Sequence, residues 1–144
     1  MNIKTYNLKN GWFSLTLPDH WEEYDDGSEG TFTFFDSKNY SGNLRISPFH
    51  YEDEKPGENK VAQLINEEID ENKEAIKIKI GNRDCAHYKK NIIEDEDELV
   101  IYYWCIGENN DIYVCSFTVK KIKEQTVENE IALAFVQDII KSIV

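Results

Sequence analysis

The sequence predicts an α+β fold, an antiparallel sheet of about six to seven strands covered by helices in α/β/α layers. Three observations predict it. Runs with apolar residues at alternate positions recur along the chain, two segments instead space them by three and four, and the connections between runs are short and polar. At 144 residues, with 40% hydrophobic and 12% aromatic side chains, the chain has the apolar surface to offset its conformational entropy. No internal repeat, low-complexity tract or linker divides it, so we expect one domain over residues 1–144.

Ile3-Lys4-Thr5-Tyr6 reads as the first strand of an N-terminal hairpin, with Asn10-Gly11 as its tight turn. Trp12 to Leu17 is the partner strand, where Phe13, Leu15 and Leu17 alternate with Trp12, Ser14 and Thr16 until Pro18, which has no amide hydrogen for the ladder. Asp19 then caps a short helical turn over His20 to Tyr24, broken at Asp25-Asp26-Gly27. Thr31 to Phe35 is a strand of aromatic and β-branched residues. A polar loop, Ser37 to Gly42, leads into a strand over Asn43 to Ser47, and Pro48 makes Phe49 to Glu54 an edge or irregular continuation. Lys55-Pro56-Gly57 is a turn.

At Asn59 the period changes. Val61, Leu64, Ile65 and Ile69 share one face, with Glu67, Glu68, Asp70 and Glu71 opposite, which predicts a central amphipathic helix to about Ala75. A four-strand meander follows: Ile76 to Ile80, Cys85 to Ile93, Leu99 to Gly107, and Ile112 to Val119. Its third strand, which includes Tyr102, Tyr103 and Trp104, shows no polar alternation, so cover on both faces is expected. Those three aromatic residues suit a core, with a ligand groove as the alternative. Val127 to Val144 is the C-terminal helix, with Ile131, Ala134, Phe135, Ile139, Ile140 and Ile143 on its apolar stripe.

Composition then narrows function. Lys and Arg number 16 and Asp and Glu 28, a formal charge of −12 that excludes a nucleic-acid binder, which needs a basic stripe. The longest apolar run, Leu99 to Ile106, is far shorter than the ~20 residues that span a bilayer. Residues 1 to 18 carry no secretory pattern, so we expect a cytoplasmic protein that begins at Met1. Cys85, Cys105 and Cys115 are odd in number and lack Cys-x-x-Cys spacing, which points to buried free thiols. Depending on register, Cys105 could face Cys115 and Cys85 could face Cys105, but no fourth metal ligand is evident. His20, His50 and His87 lie in unrelated segments, and no pair of the 28 acids is singled out for general acid–base work. Asp25 to Glu29 lacks the twelve-residue calcium pattern, and Gly27 and Gly30 form no phosphate cradle. We therefore expect no catalytic residue, no cofactor and no metal.

Charge placement says more. Residues 1–72 hold six basic and fifteen acidic side chains, and residues 73–144 ten and thirteen. Asp19 to Glu29 has six acids and no base, with aromatic residues between them. Asp19, Trp21, Glu22, Glu23, Tyr24, Asp25 and Asp26 are thus the candidate partner-binding residues: charge steers a basic protein and the aromatics supply contact area. The alternative is that Trp21 plugs the sheet edge and the acids are a solvated turn. Glu94 to Glu98, five acids at a hairpin tip, is read as a solubilising, edge-protecting device, with docking to a cationic partner as its alternative.

The run Phe13-Ser14-Leu15-Thr16-Leu17-Pro18-Asp19-His20-Trp21 resembles the opening of the PsbP-like fold, also named after the yeast Ran-binding Mog protein. There an alternating strand ends in Leu-Pro, followed by a short turn and a Trp. Gly30 to Phe35, Asn43 to Ser47, the central helix, the meander and a C-terminal helix ending in Ser142-Ile143 continue the resemblance, and the chain looks like a bacterial-type member. The resemblance implies a binding protein rather than an enzyme, since members include a nuclear-transport GTPase regulator, a photosystem subunit, lipoproteins and effector chaperones. The function expected is a small acidic binding or adaptor domain for a protein partner. The alternatives are an immunity protein or chaperone for a basic toxin or effector, and a small-ligand-binding domain or enzyme.

Overall fold

A computed structural model describes residues 3–8, 13–25, 27–52 and 54–144. Asn10, Gly11, Trp12, Asp26 and Asp53, which carry parts of the reading above, lie outside them. Strands β1 (Ile3–Leu8) and β2 (Phe13–Pro18) pair as a two-stranded antiparallel sheet. Strands β3 (Trp21–Tyr24), β4 (Phe32–Asp36), β5 (Gly42–His50), β6 (Ile76–Ile80), β7 (Arg83–Glu94), β8 (Asp97–Glu108) and β9 (Asp111–Lys120) form a seven-stranded antiparallel sheet ordered β3-β4-β5-β9-β8-β7-β6. Helix α1 (Lys60–Glu71) carries the chain from β5 to the far edge at β6, and α2 (Val127–Lys141) closes the chain. The α+β class, the N-terminal hairpin, the central helix and the four-strand meander are as the sequence predicts.

The helical turn expected over His20 to Tyr24 is instead β3. Four residues would make a single helical turn, whose nucleation cost is not recovered. Pairing with β4 satisfies their backbone instead, with Trp21 opposite Asp36 and Tyr24 opposite Thr33. The turn at Asp19–His20 is fastened by Ser37, whose backbone N–H and hydroxyl both donate to the His20 carbonyl, at 2.8 and 2.9 Å.

β5 also runs through Pro48 to His50. This is possible because β4 reaches only as far as Ile46, so Pro48 is paired on one side alone, to Tyr113 of β9. Both helices are shorter than their apolar patterns. α1 starts at the Asn59 cap, whose Oδ1 accepts from the Ala62 amide at 3.0 Å, and stops before Asn72, which turns its side chain back to the Glu68 carbonyl. α2 begins after its cap, Thr126, and ends at Lys141; beyond it the tail pairs with β2, Ser14 and Val144 exchanging two backbone hydrogen bonds of 2.9 Å.

One face of the large sheet carries Phe34, Leu44, Ile46, Val100, Trp104, Ile106 and Phe117, each at most 1% exposed. The β1–β2 hairpin, through Phe13, Leu15 and Leu17, and α2, through Val136, Ile139 and Ile140, seal it. The stripe on α2 differs from the expected one: Ile131 is 53% exposed, Ala134 is also outside, and Asn129 is buried at 1%. The other face is covered by α1 over β7 and β8, where Val61 and Ile65 pack on Ala86, Cys105 and Ile112.

All three cysteines are buried and free. Their register is one residue away from any cross-strand pairing, with Cys85 opposite Ile106, Cys105 opposite Ala86 and Val114, and Cys115 opposite Trp104. Cys85 and Cys115 therefore face the main core and Cys105 the α1 side.

Candidate functional site

A helix is about 10 Å across and strands lie about 4.8 Å apart, so one helix covers roughly two strands. With α1 on β7, β8 and the Ile112 end of β9, the same face of β3, β4, β5 and the rest of β9 has no helix above it. The register sets two rows of side chains there: Tyr24, Thr33, Arg45, Ser116 and Tyr103, and beside it Glu22, Phe35, Asn43, Thr118 and Ile101. Tyr24 is 57% exposed, and Phe35 and Tyr103 are half-buried. Two of the cations near this face are engaged, whereas Lys120, two residues beyond Thr118 on β9, is exposed. Arg45 donates to the Ser28 hydroxyl at 3.3 Å, and Lys90 Nζ sits 5.7 and 5.8 Å from the centres of the Tyr88 and Tyr103 rings.

Strand β3 is the edge of this open face, and its alternation divides the candidate partner-binding residues. Glu22 and Tyr24 point to the open side. Trp21 points the other way and is 1% exposed, so it is a core plug and not a surface anchor. Glu23 shares the side of Trp21 but lies exposed at the rim, where residual burial and the neighbouring Asp25 charge raise its carboxyl pKa. Asp25 closes an Asx turn, its Oδ1 accepting from the Gly27 amide at 3.0 Å. Asp19, Glu22, Glu23, Asp25 and Glu29 are all exposed, and among the described residues none of them is paired with a cation.

A second feature, with no motif in the sequence, is a cleft of about 450 Å³ between the β4–β5 loop and α2. Asp36, 6% exposed, lies on one wall and Asn129 on the other, with Tyr40, Ile131 and Phe135 as apolar lining. Burial alone would raise the Asp36 carboxyl pKa. The Asn39 N–H, the adjacent His20 and the Lys38 N–H outweigh it, so the carboxyl lies below the usual range. The one sequence signal for this site is Asn129 itself, a polar residue at a core-facing position of α2.

The remaining chemistry-bearing groups point away from catalysis. Burial raises the Cys85 and Cys105 thiols to about 12 and the Cys115 thiol well above its ordinary range, the opposite of an activated nucleophile. His50 bridges Asp111 (2.7 Å) and Glu52 (3.1 Å) at an exposed strand end, and both carboxylates raise its pKa. Among the described residues no group of three or more His, Cys, Asp or Glu could hold a metal ion, and no helix is long and apolar enough to cross a membrane.

A model of the family described as Domain of unknown function (DUF3805) matches residues 1–141. The chain belongs to that family. A crystal structure from Bacteroides thetaiotaomicron is 30% identical and superposes with a TM-score of 0.76, covering 98% of this chain and 47% of that one. The chain thus spans about half the length of that relative. The Saccharomyces cerevisiae Ran-binding protein Mog1p is similar over 100% of this chain and 95% of its own, at 14% identity and a TM-score of 0.62. LpqN, involved in cell envelope biogenesis of Mycobacterium tuberculosis, covers 100% and 91% at 8% identity and a TM-score of 0.58. No curated protein matches the chain. The fold is therefore the Mog1p-related one to which the Leu17-Pro18 and Trp21 corner pointed, with that Trp buried as the plug between sheet and hairpin.

Proposed function

We propose that this is a protein-binding adaptor domain of the cytoplasm, taking a basic partner on the open face of its sheet with the acidic β3 edge as guide. One observation carries the reading: exposed carboxylates without cation partners among the described residues flank a sheet face that no helix covers, bearing Tyr24, Phe35 and Tyr103. The carboxylates speed encounter with a cationic surface, and the aromatic groups give the contact area that holds it. The fold supports a binding role, since Mog1p is itself a Ran-binding protein. Three free thiols suit a reducing compartment.

The test compares two acidic segments. Partners are captured at low and raised salt by the parent chain, by Glu22→Lys/Glu23→Lys/Asp25→Lys, and by Glu94→Lys/Glu96→Lys/Glu98→Lys. The reading expects a salt-sensitive partner that the first triple variant loses and the second keeps. Equal loss in both variants, or a partner indifferent to both, overturns it.

A further inference from the structure

The cleft between the β4–β5 loop and α2 is lined by Asn129, whose Oδ1 is one of the buried polar atoms, with the Trp21 and Trp104 indole nitrogens, that lack a hydrogen-bond partner among the described residues. Asn129 Nδ2 donates to the Tyr102 hydroxyl at 3.0 Å and to the Glu124 carbonyl at 3.1 Å. That orientation is fixed, because turning the amide over would set its oxygen against the Glu124 carbonyl. Asn129 Oδ1 is then a buried acceptor with no protein donor. Leaving such a group unmet is costly, and a site that supplies a donor recovers the loss.

Asp36 presents the matching chemistry from the opposite wall. The Lys38 and Asn39 amides, each at 2.9 Å, and His20 Nδ1, also at 2.9 Å, all converge on Asp36 Oδ1. They hold the carboxylate ionised and in place while its second oxygen has no such contact. Two further charged groups line the cleft, Glu128 and Lys123, and they offset one another. The surplus is one negative charge, on Asp36. Tyr40, Ile131 and Phe135 line the same cleft; the first two are 57% and 53% exposed, and Phe135 is braced by edge-to-face contact with His20 at 5.3 Å. A volume of about 450 Å³ is that of a small-molecule site.

We infer that this cleft binds a small organic cation, an amine or guanidine carried on an aromatic or aliphatic body, whose N–H donors meet Asp36 and Asn129 Oδ1 and whose body packs on Tyr40, Ile131 and Phe135. This site is separate from the open sheet face and does not depend on the protein-binding reading.

The experiment is an amide NMR titration of the full chain with three probes of one shape: 2-phenylethylamine, its neutral analogue 2-phenylethanol, and the anion 3-phenylpropionate. The site predicts saturable shifts for the amine, centred on Asn39, Ser41, Asn129 and Phe135, and affinity at least about tenfold lower for the other two, as the loss of one charge-assisted hydrogen bond implies. Asp36→Asn keeps the shape and loses the charge, and should weaken the amine about tenfold. Ile131→Ser alters an exposed wall residue without touching the core, and should weaken amine and alcohol alike. Equal affinity across the three probes, scattered shifts, no saturation, or an Asp36→Asn variant that is folded and binds the amine as the parent does would each overturn the inference.

Discussion

The two faces of the large sheet are built from the same seven strands and are covered differently. One is sealed by the hairpin and α2 and packed with Phe13, Phe34, Trp104 and Phe117, each at most 1% exposed. The other has a helix only where α1 lies, over β7, β8 and Ile112 of β9; beyond it Thr33 is buried, Ser116 and Thr118 are half-exposed and Arg45 is exposed. The cause is topological: α1 is the crossover to β6, so it lands on the far side of the sheet from β3. Stability is thereby concentrated on one face, and half of the other is left available for recognition.

Truncation on the sealed face breaks this comparison most severely. Trp104 stacks on His87 at 4.9 Å and is 1% exposed, so Trp104→Ala should cost about 3–5 kcal/mol, read as a lower denaturant midpoint at unchanged slope. A smaller loss is expected beneath α1. A Cβ built at Gly107 would lie 2.4 Å from the Asp111 carbonyl oxygen and 2.8 Å from Val61 Cγ1, both tighter than packing allows. Gly107→Ala should cost about 1–3 kcal/mol by lifting α1 from the sheet. A thermal unfolding temperature equal to the parent's would show that α1 is not seated as described.

Asp36 gives a pH-dependent test on the sealed side. Its folded pKa lies below the ordinary 3.8, so its contribution is present above that pH and is lost as pH falls through the folded value. Asp36→Asn should lower stability at pH 7 by about 1–3 kcal/mol and flatten the decline below pH 4. Denaturant curves of parent and variant that stay parallel from pH 7 to pH 3 would refute the assignment.

Most of the fold was legible because its elements are long and locally consistent. Ile76–Ile80 alternates strictly and is β6, and Val61 and Ile65 fall on the face of α1 that the spacing marked. What was missed depends on partners distant in sequence. Four residues are too few to display a period, so only pairing with β4 reveals β3. The cysteine register turns on one residue of parity that the turns decide. The cleft joins Asp36 to Asn129 across 93 positions, and the sole local trace was an Asn on an apolar stripe. The acidic segment itself is visible in the sequence, but which of its side chains point outward follows from β3, a strand where the local sequence predicts a helical turn.

That last point yields the smallest expected stability change and the sharpest comparison. Trp21 and Tyr24 lie three residues apart on β3, both aromatic, both among acids, one 1% and the other 57% exposed. Burial removes about 25 cal/mol from the folded state's free energy for each Å² of apolar surface covered, so the buried indole stabilises the fold and the exposed phenol contributes little. Trp21→Ala should therefore cost about 3–5 kcal/mol, whereas Tyr24→Ala should stay within about 0.5 kcal/mol of the parent. If the open face is the binding surface, Tyr24→Ala also weakens capture of the partner while the fold is intact, a separation that Trp21 cannot give. A Tyr24→Ala variant as unstable as Trp21→Ala would mean that both faces of β3 are covered, and the difference between the two sides of the sheet would disappear at its edge.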